Sequence, residues 1–275
     1  MVATAIEMAE PARETVHAID DTRHPAVRRV ADVLRARSGR PRVFLIDDTE
    51  NIEQALACGI ALDSLYVTGA AIDGGLPAPV GVGPDVPLHV LDETVARALF
   101  GERRSARVFA LAHAPRPPRL HDLAGAAGDV VVLDGVRIVG NIGAITRTAC
   151  ALGAAGVVLL DSGLRTTLDR RLVRASRGLV FATPVVLARR AECIDFIRQE
   201  RLTVAALSAD AAAPLSTIRR VEERLALVLG GERDGVSPDL AAVATRHYAI
   251  PMTPRAESLN VSVAAGIALY ERGLG

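Results

Sequence analysis

The stretch that decides the fold lies near the C-terminal end, where residues 250–264 read Ile-Pro-Met-Thr-Pro-Arg-Ala-Glu-Ser-Leu-Asn-Val-Ser-Val-Ala. An apolar strand ends at Ile250, and two prolines stiffen the loop that follows it. Ser258 is a suitable N-cap residue, so the pattern predicts a helix that begins there. Because this helix is largely apolar, we expect it to be buried, with its Asn260 and Ser262 hydrogen-bonded.

The composition excludes several classes of protein. The chain has 275 residues, no net formal charge and 50% hydrophobic residues, which indicates one or two folded domains rather than a disordered or generally basic chain. No apolar run is long enough to cross a bilayer, and the N-terminal residues are polar and acidic rather than signal-like. Three scattered cysteines without a CxxC pattern favour a cytoplasmic protein that has neither disulfides nor a metal site.

Short apolar strands alternate with helical patterns along the chain, which predicts an α/β fold. Three prolines in four positions, starting at Pro115, indicate a stiff connector between two domains. The strands beyond the connector are apolar throughout, as expected for a mainly parallel sheet covered on both faces. We therefore predict a flexible tail over residues 1–20, a smaller α/β domain over 21–113, a linker over 114–128 and a second domain over 129–275.

Two further loops pair glycines with polar residues beside apolar strands. The first runs from a strand through Gly140-Asn141-Ile142-Gly143 into a helix that carries Arg147, and it matches neither the GxGxxG nor the P-loop pattern. An exposed arginine on an amphipathic helix is the alternative reading of its Asn-x-Gly-x-x-x-Arg pattern. In the second loop a strand ends in Gly230 and Gly231, which let another molecule approach the backbone closely, although an ordinary turn also explains them.

Arginines cluster in two places, and clustering is informative here because all 32 basic residues are arginine. Arg170, Arg174 and Arg177 share one face of a predicted helix, which suits contact with phosphate groups. A second, looser cluster across the linker includes Arg103, Arg104 and Arg116. A solvated, salt-bridged surface is the alternative for both clusters, whereas 3% aromatic residues are too few for a base-stacking platform.

Taken together and in order, the three loops resemble the motifs of the SpoU branch of the SPOUT RNA ribose 2′-O-methyltransferases. The matching stretches are Asn-Ile-Gly-Ala-Ile-Thr-Arg at 141–147, Leu-Val-Leu-Gly-Gly-Glu-Arg-Asp-Gly at 227–235, and residues 250–264. The chain is similar in particular to the thiostrepton and nosiheptide resistance methyltransferases of actinomycetes. That closer similarity rests on residues 100–104, 115–117, 130–136 and 169–178.

The resemblance implies a trefoil-knotted C-terminal domain that binds S-adenosylmethionine, a homodimer, and an N-terminal domain like RNA-binding ribosomal proteins. By the family pattern, the cofactor contacts Leu207, Gly230, Gly231, Glu232, Ile250 and Leu259. The catalytic group around the methylated ribose is Arg147, Asn141, Glu232, Ser258 and Asn260. Arg177 holds RNA phosphate or helps to assemble the pocket. Because a guanidinium is essentially always protonated, we expect Arg147 to position the hydroxyl rather than to act as a base.

The implied activity is 2′-O-methylation of one adenosine in the thiopeptide-binding, GTPase-associated region of 23S rRNA. No metal is needed, and the methylated ribose gives antibiotic resistance. Two alternatives remain open: the same chemistry at another rRNA or tRNA site, and an RNA-binding protein whose cofactor site is degenerate. Mapping of methylated riboses separates the first alternative from this activity, and a cofactor-binding measurement tests the second.

Overall fold

The computed structural model describes residues 18–36, 38–69, 79–101, 107–231, 234–253 and 255–274. Within these residues the strands form two sheets, one of four strands and one of seven. The chain passes from the first sheet to the second between residues 113 and 130. This connection is extended apart from a short 3-10 helix at Leu120–Leu123.

The N-terminal sheet is mixed, and its strands lie in the order β1-β4-β2-β3. Its strands are β1 (Val43–Asp47), β2 (Leu62–Thr68), β3 (Leu88–Leu91) and β4 (Val108–His113). The accompanying helices are α1 (Pro25–Arg35), α2 (Thr49–Ala57) and α3 (Glu93–Phe100). Strand β4 runs antiparallel to β1 and β2, whereas β3 is parallel to β2. The domain is therefore the smaller α/β unit that the alternating pattern predicts.

The predicted tail over residues 1–20 extends too far at its C-terminal end. The Ile19 amide donates to the Val90 carbonyl oxygen over 2.8 Å, and the Asp92 amide donates to the Ile19 carbonyl oxygen over 3.0 Å. Main-chain groups at a sheet edge bind an extended segment readily. Ile19 is therefore part of the folded domain, and residues 1–17 lie outside the described residues.

The C-terminal sheet has the strand order β7-β6-β5-β10-β8-β11-β9, and all its paired strands are parallel. Its strands are β5 (Val130–Asp134), β6 (Gly156–Leu160), β7 (Val185–Ala188), β8 (Thr203–Leu207), β9 (Ala213–Pro214), β10 (Leu225–Gly230) and β11 (Arg246–Ala249). Its α-helices are α4 (Val139–Ala151), α5 (Arg170–Ala175), α6 (Arg190–Gln199), α7 (Pro238–Ala241) and α8 (Val261–Gly273), with a 3-10 helix at Leu215–Arg220.

Both faces of this parallel sheet are covered, which confirms the predicted fold class. Successive side chains of a strand point to opposite faces. In β5, Val131 and Leu133 belong to one apolar core with residues of α4, α5 and α8. Val130 and Val132 belong to a second core with residues of α6 and α7. Apolar residues at positions 130–133 of β5 are therefore needed on both faces, and this accounts for the unbroken apolar run in the sequence.

The two sheets share one apolar core. Phe44 in β1 and Phe181, which follows α5, bring their ring centroids to 5.7 Å. Strand β1 and helix α2 contribute to the same buried cluster as α5. The first domain is therefore packed against the helix that carries the predicted arginine cluster.

The last helix begins later than predicted and is less buried. Helix α8 starts at Val261, and its N-cap is Asn260, whose Oδ1 accepts from the Ser262 amide over 2.8 Å. Asparagine and serine cap helices about equally well, so composition did not decide between Ser258 and Asn260. Val263 is 50% exposed, because only one face of α8 packs on the sheet. None of the helices described here is long and apolar enough to cross a membrane.

Candidate active site

A cavity of about 640 Å³ lies beside the start of α8, at the carboxyl ends of β8, β10 and β11. Ligands of open parallel α/β sheets bind outside the carboxyl ends of the strands. The lining includes five of the six predicted cofactor residues and two of the predicted catalytic residues: Leu207, Gly230, Gly231, Ile250, Leu259, Ser258 and Asn260. The structure thus places residues from two of the three sequence motifs around one cavity.

The loops that follow β5 and β10 touch through their backbones. A Cβ atom on Gly231 would lie 2.7 Å from the Gly135 carbonyl oxygen, and a Cβ atom on Gly230 would lie 2.0 Å from the carbonyl carbon of Gly235. The Gly231 amide donates to the Asp134 carbonyl oxygen over 2.8 Å. Only glycine permits this approach, so the paired glycines have a structural cause as well as a position in the cavity wall.

The remaining motif reaches the cavity through a hydrogen bond. Asn141, in the first turn of α4, is 8% exposed, and its Oδ1 accepts from Asn260 Nδ2 over 3.2 Å. Asn260 in turn caps α8 and lines the cavity. A buried amide side chain needs such a partner. The three loops that carry the sequence motifs are therefore neighbours in the structure.

Arg147 lies on α4 but not in the wall of the cavity. It follows Asn141 by six residues, which corresponds to about 9 Å along the helix axis. Its side chain is exposed. A Cβ atom on Gly143, one turn before Arg147, would lie 2.3 Å from the Ala175 Cβ. The glycine of the Asn-x-Gly-x-x-x-Arg motif therefore lets α5 pack closely on α4, beside the exposed arginine.

The predicted RNA-binding arginines of α5 face carboxylates of the N-terminal domain. Arg170 forms an ion pair with Asp47, whose side chain is fully buried, and its guanidinium lies 4.6 Å from the centroid of the Phe100 ring. Contact between Arg170 and an RNA phosphate would require this buried pair to break. In this structure Arg170 joins the two domains.

Arg174 and Arg177 are held more loosely. Arg174 Nε lies 3.5 Å from Asp48 Oδ2, and Arg177 Nη1 lies 3.6 Å from Glu50 Oε2. All four side chains are about half exposed or more, and exposed pairs of this length contribute little to stability. Burial raises the pKa of Asp48, and the nearby Arg174 only partly offsets this increase. Both arginines thus remain accessible to a phosphate group.

Arg116, which was predicted to bind RNA, pairs instead with Asp122 in the connection between the domains. Its two terminal nitrogens donate to the two carboxylate oxygens of Asp122 over 2.9 and 2.8 Å. This hydrogen bonding and the Arg119 amide lower the pKa of Asp122 to about 2. Three other predicted site residues, Glu232, Arg103 and Arg104, lie outside the described residues.

Sequence reasoning missed several residues of the cavity. His247 and Tyr248 of β11, Ser208 after β8, and Met252 in the proline-containing loop also line it. Ligands bind at the carboxyl ends of parallel strands, so the position of these residues at strand ends could have indicated the site. The sequence alone, however, does not show which strands are neighbours in the sheet. Among the described residues, no group of three or more His, Cys, Asp or Glu side chains is arranged to hold a metal ion.

The architecture and the cavity together define a class of protein. A solved structure of an RNA 2′-O ribose methyltransferase aligns with a TM-score of 0.77 and 29% identity, over 93% of this chain and 98% of that one. An S-adenosylmethionine-bound rRNA methyltransferase from Sinorhizobium meliloti aligns with a TM-score of 0.74 and 26% identity, over 94% and 97% of the two chains. The protein therefore has the fold of RNA methyltransferases.

The chain belongs to the SpoU rRNA Methylase family, which its residues 129–270 match. Residues 16–126 match the family described as thiostrepton-resistance methylase, N terminus. Over 254 residues the chain is 44% identical to the 23S rRNA (adenosine(1067)-2′-O)-methyltransferase of Streptomyces laurentii, covering 92% of this chain and 94% of that protein. The resemblance that the three motifs indicate is confirmed for both parts of the chain.

Proposed function

We propose that the protein transfers the methyl group of S-adenosylmethionine to the ribose 2′-hydroxyl of one adenosine in the thiopeptide-binding, GTPase-associated region of 23S rRNA. Methylation there would confer resistance to thiostrepton-type antibiotics. The observation that carries the proposal is the junction of three motifs at one cavity, where Asn141 binds Asn260 beside Gly230. The similarity to the Streptomyces laurentii enzyme supports the choice of nucleotide.

The cavity fits the proposed cofactor in size and chemistry. Its volume of about 640 Å³ falls within the usual range for small-molecule sites. Leu207, Ile250 and Leu259 offer apolar surface for a flat adenine ring, and Gly230 and Gly231 leave backbone groups without side chains in front of them. When bound, S-adenosylmethionine supplies a methyl group on a sulfonium, which is a good leaving group. The chain therefore needs to provide alignment rather than a metal ion.

The reaction is a direct displacement. The ribose 2′-oxygen forms a bond to the methyl carbon, the bond from carbon to sulfur breaks, and the hydroxyl proton leaves to solvent. The Asn141–Asn260 pair lies where it can hold the ribose beside the cavity. Arg147 is exposed on α4 outside the cavity wall, where incoming RNA can reach it, and the role we assign to its guanidinium is to orient the hydroxyl and to stabilise the negative charge that develops on oxygen. Ser258 lines the same cavity and offers a further hydroxyl for orientation.

We also propose that Arg174 and Arg177 contact RNA phosphates, because both are exposed and only weakly paired. Arg103 and Arg104 are retained as proposed RNA contacts on sequence grounds. Arg116 would have to exchange Asp122 for a phosphate, and Arg170 would have to leave Asp47. For these two arginines the geometry favours a structural role.

A homodimer and a knotted chain remain part of the proposal. Large apolar side chains are exposed at both ends of α4 and on or just after α8, and exposed apolar surface often marks a protein interface. These residues are Ile138, Leu152, Val263, Tyr270 and Leu274. The tight backbone passage of Gly231 against Gly135 is compatible with a threaded loop. Because the proposed substrate is ribosomal RNA, we also propose that the protein acts in the cytoplasm.

The decisive experiment maps methylated riboses in rRNA from cells with and without the protein. Primer extension at low nucleotide concentration stops at a 2′-O-methylated ribose. We expect one new stop, at an adenosine of the GTPase-associated region. A new stop elsewhere would move the activity to a different RNA site. If no RNA gains a stop and calorimetry detects no S-adenosylmethionine binding, the enzymatic proposal is wrong.

A further inference from the structure

Asp134, the last residue of β5, is a buried carboxylate that binds residues in and beside the cavity wall. It is 1% exposed, and a buried charge is strongly unfavourable unless it is paired and hydrogen-bonded. Its Oδ1 accepts from Arg190 Nε over 2.8 Å, and its Oδ2 accepts from the Ser237 amide over 2.7 Å. Both carboxylate oxygens are therefore used, each by a different part of the chain.

These contacts fix both ends of the loop that follows β10. The Asp134 carbonyl oxygen binds the Gly231 amide at the start of the loop, and the carboxylate binds the Ser237 amide at its end. Within the loop, the Gly235 amide donates to the Gly231 carbonyl oxygen over 3.0 Å. Gly231, Gly235 and Val236 all line the cavity. Asp134 thus binds both Gly231 and Ser237, which flank the cavity-lining Gly235 and Val236.

Arg190 holds the carboxylate in turn. This first residue of α6 also places its Nη1 2.5 Å from Asp161 Oδ2, so it joins the carboxyl ends of β5 and β6. Burial lowers the pKa of Arg190, but hydrogen bonding and charge attraction from Asp134 and Asp161 outweigh this effect and the net change is upward. The guanidinium therefore stays charged beside the buried carboxylate at neutral pH.

We propose that Asp134, supported by Arg190, is a positioning residue that sets the affinity for the methyl donor by fixing Gly231 and Ser237, which flank the cavity-lining Gly235 and Val236. This inference rests on the proposed function, in which the cavity binds S-adenosylmethionine. Asp134 itself touches no reacting atom. Its substitution therefore raises the dissociation constant and KM for the donor, while kcat at saturating donor and the RNA affinity change little.

The opposite end of β5 offers a matched control. Asp129, just before β5, also accepts from an arginine and from a backbone amide: Arg272 Nε and the Leu225 amide, each over 2.7 Å. Its side chain is 11% exposed, and it does not line the cavity. Asp129→Asn therefore removes the same kind of charge at the opposite end of β5, away from the residues that line the cavity.

The experiment measures S-adenosylhomocysteine binding by calorimetry, RNA binding by filter retention, and the melting temperature for Asp134→Asn and Asp129→Asn. We expect both variants to melt at lower temperature. Only Asp134→Asn should bind S-adenosylhomocysteine at least tenfold more weakly, with RNA affinity within about twofold of the wild type. An unchanged dissociation constant in Asp134→Asn, or an equal increase in Asp129→Asn, overturns the inference.

A second variant covers the case in which Asp134→Asn does not fold. Arg190 is only partly buried, so Arg190→Gln should fold while it removes the cation that orients the carboxylate. We expect S-adenosylhomocysteine to bind at least threefold more weakly, and an unchanged dissociation constant contradicts the inference. If the wild-type protein itself binds no S-adenosylhomocysteine, it is the proposed function that fails.

Discussion

The two ends of β5 are built from the same parts but serve different purposes. At the amino end, Asp129 joins Arg272 to the start of β10, and Arg272 also donates to the carbonyl oxygens of Val221 and Glu223. At the carboxyl end, Asp134 joins Arg190 to the loop after β10. The residues bound at the amino end do not line the cavity of about 640 Å³, whereas Gly231, which is bound at the carboxyl end, does.

This difference shows that a buried ion pair has to be interpreted by what it holds in place. Replacing such pairs by apolar residues is often neutral or stabilising, so their presence alone says little about stability. At the carboxyl end, the Asp134–Arg190 pair holds Ser237, which follows the cavity-lining Gly235 and Val236.

The largest effect should come from Arg147. In the proposed mechanism Arg147 orients the hydroxyl and stabilises the developing charge, so kcat of Arg147→Ala should fall by about 100-fold or more. Arg224→Ala is the control at the amino end, where Arg224 donates to the Gly128 and Leu123 carbonyl oxygens. That variant should lose stability and keep kcat. Methyl transfer is measured in single turnover with a GTPase-associated-region RNA. Near-full turnover in Arg147→Ala would remove Arg147 from the mechanism.

A second contrast uses two glycines at opposite ends of the sheet. A Cβ atom would lie 2.0 Å from Gly235 backbone in Gly230→Ala and 2.3 Å from the Gly153 carbonyl oxygen in Gly128→Ala. Each substitution should lower the free energy of unfolding by about 1–3 kcal/mol through overpacking. Only Gly230→Ala should also raise the dissociation constant of S-adenosylhomocysteine, by at least tenfold. Equal binding by the two variants would show that the carboxyl-end loop is not part of the donor site.

The third contrast separates two arginines of the predicted RNA-binding cluster. Arg170→Ala leaves the buried Asp47 carboxylate without its partner and should lower the free energy of unfolding by about 3 kcal/mol. Arg177→Ala removes only an exposed, long ion pair, so stability should change by less than about 0.5 kcal/mol. Its RNA affinity should fall instead, with a smaller salt dependence. Urea unfolding and RNA titrations at two salt concentrations test both expectations, and RNA affinity unaffected by Arg177→Ala would argue against a phosphate contact.

The smallest effect concerns Cys193, one turn after Arg190 on α6. Burial, with a contribution from the Asp134 charge, raises the pKa of the Cys193 thiol to about 12, from 9.0 for an unperturbed thiol. The unfolded chain therefore loses this proton first, and stability falls as the pH rises from about 9 towards 12, by about 1.4 kcal/mol per pH unit. Urea unfolding at pH 8 and pH 10 should show a steeper loss for the wild type than for Cys193→Ala. Parallel losses would contradict the assigned pKa shift.

The sequence was most informative about local structure and about the site's three loops. Apolar runs predicted β5, β6, β7, β8 and β10, but not β9 or the polar start of β11, and the motif order led to Asn141, Gly230 and Ser258. The N-cap of the last helix lies at Asn260 rather than at Ser258, about half a turn later than predicted, because both residues are good caps. The exposed face of α8 was also missed, since an apolar helix covers a sheet with one side only.

Contacts between distant parts of the chain were beyond the reach of sequence patterns. Arg170 and Asp47 are 123 residues apart, and no local pattern indicates that they pair. Asp134 likewise meets Arg190 and Ser237 only because β5 lies between β6 and β10 in the sheet. The packing of the two domains and the strand order, which periodicity does not reveal, therefore decided which charged residues are paired.

The account depends most on where the methyl donor binds. A crystal structure of the protein with S-adenosylhomocysteine tests this directly. We expect the ligand in the cavity between Gly230 and Ile250, with its sulfur directed towards the Asn141–Asn260 pair. Density for the ligand at any other place on the protein, with this cavity empty, would contradict the account.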